Sequence, residues 1–117
     1  MNYTSTVIGG AGRGKKLGFP TFNLEIPTQF TVAEGIYGVA VDIAGVRYKG
    51  AMHFGPIPVF NNPKPSLEIF VLDYEPTNPV TTLTFEIIKF LRPIQNFSSP
   101  QELAAQIAKD VTNIRSF

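Results

Sequence analysis

Residues 10–24 read GAGRGKKLGFPTFNL, and their types suit an anion. Gly10, Gly12, Gly14 and Gly18 are interleaved with Arg13, Lys15 and Lys16, and no acid stands between Met1 and Asn23. Glycine lets the backbone come close to a ligand. Successive N–H groups can then line a concave anion site without a helix. The stretch is not a Walker loop, because Lys15 is followed by Lys16 and Leu17 rather than by Ser or Thr opening a helix. Nor does a strand–helix crossover follow, as a dinucleotide fingerprint requires. On glycine content alone, an ordinary hairpin loop with solvated cations accounts for it equally well.

Pro20-Thr21-Phe22-Asn23 adds chemistry to that loop. Proline fixes its own φ and favours extended backbone before it. If Thr21 and Asn23 are extended, their side chains share a face and Phe22 turns to the core. A hydroxyl and an amide oxygen are hard, neutral donors, suited to a Mg²⁺ that takes its negative ligands from phosphates. The competing explanation is a turn in which both side chains bond nearby backbone. The third group is Glu68, in Leu67-Glu68-Ile69-Phe70-Val71-Leu72-Asp73-Tyr74. Alternation puts it on one face with Phe70, Leu72 and Tyr74, where partial desolvation would tune it towards base chemistry. A strand-end glutamate reaching solvent is the alternative. An anion loop, metal donors and a base together describe phosphoryl transfer to an alcohol.

Short strands must position these groups. The chain has 117 residues, 44% of them hydrophobic, which suits one domain over residues 1–117. Its ten glycines and ten prolines cut it into short segments, as in all-β proteins. Residues 35–43 and 46–54 alternate as strands, with Tyr37, Val39, Val41 and Ile43 on one face, and Val46, Tyr48, Met52 and Phe54 opposing Arg47, Lys49 and His53. Ala44-Gly45 forms the hairpin turn, with positive φ at Gly45. Residues 1–8, 67–74 and 82–91 are the other expected strands, the last with Leu83, Phe85, Ile87 and Leu91 on one side. Ser99, Pro100 and Glu102 read as N-cap, N1 proline and capping-box acid. Leu103, Ile107, Val111 and Ile114 then follow at helical spacing. The architecture expected is a small antiparallel barrel with a C-terminal helix packed on it.

The absences narrow the function. There is no cysteine and only one histidine, which excludes thiolate and ordinary zinc sites. Net charge is +1, too little for binding a long nucleic acid. No apolar run reaches the roughly 20 residues of a spanning helix, and no secretory signal opens the chain. A cytoplasmic protein with no membrane partner is expected. His53 lies on the polar face of its strand and is expected to be solvated or hydrogen-bonded rather than catalytic.

The residues from Gly12 to Leu24 resemble the signature loop of the riboflavin kinase family, whose module also forms the C-terminal part of bifunctional riboflavin kinase/FAD synthetases. Gly35-Ile36-Tyr37, the segment Ser66 to Tyr74, Leu91-Arg92-Pro93 with Asn96-Phe97, and Leu103, Ile107 and Asp110 follow in the family's order. The resemblance implies a six-stranded Greek-key barrel that transfers the ATP γ-phosphate to the ribityl 5′-hydroxyl of riboflavin, giving FMN and ADP. It places Thr21 and Asn23 at the divalent ion (Mg²⁺, or else Zn²⁺ or Mn²⁺) and the phosphates, and makes Glu68 the base. Gly10, Gly12, Arg13, Gly14, Lys15, Lys16, Gly18 and Pro20 would line the nucleotide phosphates. Arg92 and Phe97 would lie near the flavin. The chain departs from the pattern at His53, usually Asn, at Val59, often Thr, and at residues 78–81, where an aromatic-glycine pair is usual. It is expected to be monomeric, and either a stand-alone kinase or a module excised from behind an adenylyltransferase. Two rivals remain: a flavin- or nucleotide-binding barrel with a degenerate site, and a barrel that binds single-stranded nucleic acid.

Overall fold

The computed structural model describes residues 2–9, 20–28, 30–56, 65–75, 79–95 and 97–116. These form six strands, β1 (Asn2–Gly9), β2 (Thr21–Leu24), β3 (Gly35–Ile43), β4 (Val46–Gly55), β5 (Ser66–Val71) and β6 (Thr82–Arg92), and one helix, α1 (Pro100–Arg115). The strands close into a barrel in the order β1-β2-β5-β4-β3-β6, every pairing antiparallel. Three hairpin neighbours, β3, β4 and β5, are followed by β6 lying beside β3, which is the Greek-key arrangement. Closure removes the sheet edges on which another chain could pair. Among the described residues no helix is long and apolar enough to cross a membrane.

Period-two alternation fills the barrel. Leu24, Val39, Val41, Met52, Leu67, Ile69, Val71, Leu83 and Phe85 meet in its interior. One rim is plugged by rings: Phe30 sits edge-on to both Tyr3 and Phe54, with centroids 4.9 and 4.8 Å apart. The β3–β4 turn is tighter than glycine alone would require, because both Ala44 and Gly45 have positive φ, 51° and 83°. That is the pattern of a two-residue primed turn.

Three expectations are corrected. Tyr74 does not share the face of Glu68: β5 ends at Val71, Asp73 turns the chain with φ 61°, and the Tyr74 ring goes to Tyr48 and Phe22. Leu91 leaves the face of Leu83, Phe85 and Ile87. Register shifts in the β3–β6 pairing at Ile36/Tyr37 and Gly38/Val39 break the alternation, and Leu91 packs with Ala51, Leu72 and Ile114. Val46, beside the hairpin turn, is half exposed rather than in the core.

α1 packs on the outside of the barrel. Ile114 and Val111 cover Ala51, Phe70 and Leu72. Ser99 caps the helix as expected, its Oγ accepting from the Glu102 N–H at 3.2 Å. The Glu102 carboxylate accepts from the Ser98 N–H and Oγ, one residue earlier than a reciprocal capping box. The C-terminus is held by the Arg115–Asp73 pair (2.7 Å) and by Lys49 Nζ donating to the Arg115 carbonyl (3.2 Å).

Candidate functional site

Register assembles the site. On β2, Thr21 stands opposite Phe70 and Asn23 opposite Glu68 of β5. Glu68 is in turn opposite His53 of β4, His53 opposite Ile36 of β3, and Ile36 opposite Arg92 of β6. Directly paired residues share a face, with Cβ atoms about 5 Å apart. Asn23, Glu68, His53, Ile36 and Arg92 therefore form one rung across five strands on the outer surface of the barrel. Phe22, between Thr21 and Asn23, packs inward, as extended backbone demands.

Glu68 is buried, with 3% of its surface exposed, so it is not the strand-end residue reaching solvent. It lines a pocket between the outer sheet face and α1 whose walls include His53, Phe70, Arg92, Phe97 and Asp110. His53 is buried as well, at 6%, which removes the solvated one of the two alternatives expected for it. Ile107 and Asp110 of α1 line the same pocket as His53.

Arg92 is fixed on two sides. Its Nε and Nη2 atoms donate to the Asp110 carboxylate, the shortest contact being 2.9 Å, and Gln106 donates to the same carboxylate at 3.1 Å. Its guanidinium carbon lies 5.8 Å from the Phe97 ring centroid, within cation–π range. Asp110 is 2% exposed. A buried carboxylate is tolerated because it is paired and hydrogen-bonded. The apolar spacing of α1 marked Leu103, Ile107, Val111 and Ile114 but gave no sign that a charged residue shares the inner face. Only the pocket shows Asp110 and Arg92 as one unit.

Pro20 precedes β2, and its carbonyl accepts from the Val71 N–H at 2.9 Å, holding the start of β2 against β5. Thr21 and Asn23, half buried on one face, are neutral oxygen donors of the kind a hard divalent ion accepts when phosphates bring the charge. Among the described residues no group of three or more His, Asp or Glu side chains could hold a metal alone. Gly10, Gly12, Arg13, Gly14, Lys15, Lys16 and Gly18, the expected anion cradle, lie outside the described residues, as do Val59 and Asn78.

The family model described as "Flavokinase: Riboflavin kinase" matches residues 1–117. The chain is 32% identical over 108 residues to the bifunctional riboflavin kinase/FMN adenylyltransferase of Bacillus subtilis (strain 168), covering 89% of this chain and 34% of that protein. It is 32% identical over 114 residues to the protein of the same name from Escherichia coli (strain K12), covering 95% and 36%. It is also 32% identical over 108 residues to the RNA-binding riboflavin kinase RibR of B. subtilis, covering 92% and 46%. The chain thus spans about a third of the bifunctional relatives' length. A solved structure titled as a macrolide-efflux protein from Streptococcus pneumoniae superimposes with a TM-score of 0.84 at 24% identity, covering 99% of this chain and 38% of that one. That likeness bears on the fold alone.

Proposed function

This chain belongs to the riboflavin kinase family, and we propose that its barrel transfers the γ-phosphate of ATP to the 5′-hydroxyl of riboflavin, giving FMN and ADP. The observation that carries this reading is the rung in which buried Glu68 stands between Asn23 and the Arg92 pocket. A vitamin placed against Arg92 and Phe97 would direct its sugar-alcohol tail along the rung to Glu68. A nucleotide at Thr21 and Asn23 would meet it from the other side. Residues 1–117 are read as a single kinase-like barrel domain.

Glu68 takes the proton of the attacking hydroxyl as its oxygen bonds to the γ-phosphorus, and the β–γ bridging oxygen leaves with ADP. Pro20 sets the entry to β2, and Thr21 and Asn23 would hold the divalent ion and the phosphate oxygens. When bound, that ion offsets charge on the transferring phosphoryl group. Gly10, Gly12, Gly14 and Gly18 with Arg13, Lys15 and Lys16 are the residues assigned to the phosphates, as donors of N–H groups and positive charge. Asp110 holds the Arg92 guanidinium flat beside the flavin rings, with Phe97 against it.

The test is incubation with ATP, Mg²⁺ and riboflavin, with FMN separated and ADP measured. Riboflavin-dependent formation of both is expected. Flavin binding without ADP would identify a degenerate binder instead. A second reading, RNA binding, is favoured by the relative named for it. The net charge of +1 weighs against it. An oligonucleotide titration that weakened steeply with salt would support it.

A further inference from the structure

We propose that the pocket over β1 and β2 beside Asn23 is a nucleobase subsite, in which Ile8 and Ile26 hold a purine by apolar contact. This rests on the reading above that the phosphates of the nucleotide lie at Thr21 and Asn23. The pocket holds about 480 Å³, and its lining includes Ile8, Asn23, Glu25, Ile26 and Pro65. That volume falls in the ~300–1,000 Å³ range of small-molecule sites.

The backbone sets the two isoleucines there. Val7 pairs with Leu24 and Gly9 with Asn23, so Ile8 is the extra residue of a bulge in β1. Bulges re-aim side chains and recur next to active sites. Ile8 is 61% exposed, the most of any large hydrophobic side chain among the described residues, and Ile26 is 38% exposed. Single surface isoleucines are ordinary. Two that line one cavity with Asn23 make an apolar wall beside a polar end, the make-up of a ligand site. The wall is built before a ligand arrives. The Glu25 N–H donates to the Thr6 carbonyl at 2.9 Å, and Ser5 Oγ donates to the Glu25 carbonyl. These bonds tie the chain ahead of Ile26 to the strand that carries Ile8.

The occupant follows from position and charge. The pocket of Arg92 and Phe97 lies on the β4 side of Glu68, and this one on the β1 side of Asn23. A nucleotide whose phosphates reach Asn23 therefore extends its base away from the flavin, towards Ile8 and Ile26. Glu25 puts a carboxylate at that end, which repels phosphate and favours the uncharged base there. A two-ring base covers more of both isoleucines than a one-ring base.

The test compares direct binding of Mg–ATP and Mg–tripolyphosphate by calorimetry in wild type, Ile8→Thr and Ile26→Thr. Tripolyphosphate has the phosphates without the base, so the ratio of the two affinities is insensitive to changes at the phosphate end. Each variant is expected to lower that ratio about tenfold, since small apolar losses in a pocket cost ~10–200-fold. Ile88→Thr makes the same change at an exposed position on β6 and is expected to leave the ratio unaltered. In wild type, Mg–CTP is expected to bind about tenfold more weakly than Mg–ATP. An unchanged ratio in both variants, or CTP binding as tightly as ATP, would overturn the subsite. Wild-type protein that binds ATP but makes no FMN would count against the kinase reading alone, and the ratio would still decide the subsite.

Discussion

The chemistry proposed for the site concentrates on Glu68 and on the paired Arg92 and Asp110. Glu68→Gln keeps the shape and removes the base, so kcat is expected to drop ~10²–10⁴-fold while riboflavin binding, followed by flavin fluorescence, changes little. Wild-type turnover in that variant would remove Glu68 from the mechanism. Asp110→Ala poses a different problem. Its carboxylate accepts from Arg92, whose side chain is only 14% exposed. Removing one member of a buried pair strands the other charge, at a cost of about 3 kcal/mol. Chemical denaturation should show that loss, and a stability within 0.5 kcal/mol of wild type, roughly the scatter of neutral surface changes, would mean Arg92 finds another partner. Thr21, Asn23 and Glu68 were legible in the sequence because short polar side chains after Pro20, and one acid in an apolar strand, are locally conspicuous. His53 was legible only as a polar-face residue. Nothing near it in the chain says that β5 lies alongside β4 with Glu68 at its own level.

The elements carry predictions of their own. Ala44 occupies the left-handed region at an exposed turn, where an L-residue with a bare Cβ is strained and asparagine is tolerated. Ala44→Asn is expected to stabilise the β3–β4 hairpin by about 0.5–1 kcal/mol, within the usual gain from corrected turn chemistry; an unchanged or lower Tm would contradict this. Acid should loosen α1. Hydrogen bonds from Arg115 hold the Asp73 carboxyl below its ordinary pKa, and those from Ser98 do the same for Glu102. A carboxylate depressed in the folded state contributes stability above its unfolded pKa, about 4, and loses it as pH falls through the lower folded value. Asp73→Asn should therefore flatten the decline of Tm between pH 5 and about 3. Parallel wild-type and variant curves would show that this pair does not anchor the helix. Strand existence and the helix start were readable from alternation and from Ser99-Pro100. The end of β5 and the break in β6 were not, since Asp73 and the shifts beside Ile36 and Gly38 arise from tertiary pairing rather than local preference.

For the whole molecule, closure is the controlling fact. β6 pairs with both β1 and β3, contacts distant in sequence, so a linear reading could anticipate a barrel without knowing which residues would share a level. Gly50 shows how tightly the wall is drawn. A Cβ there would stand 2.7 Å from the Phe70 carbonyl oxygen, backbone that cannot yield without parting β4 from β5. Gly50→Ala is expected to cost about 1–3 kcal/mol, as overpacking generally does, and to reduce turnover, because Glu68 and His53 sit across that seam. A fully active, equally stable Gly50→Ala protein would show that the wall gives without consequence. The five-strand rung also limits how such a site can be altered by evolution or by hand. Each member belongs to a different strand, and successive side chains face opposite sides. Deleting one residue within β2, β4 or β5 would swing Asn23, His53 or Glu68 into the hydrocarbon interior, whereas deleting two would merely lower it to the next level. Viable length changes in these strands should therefore come in even numbers, with odd ones confined to the connections between them.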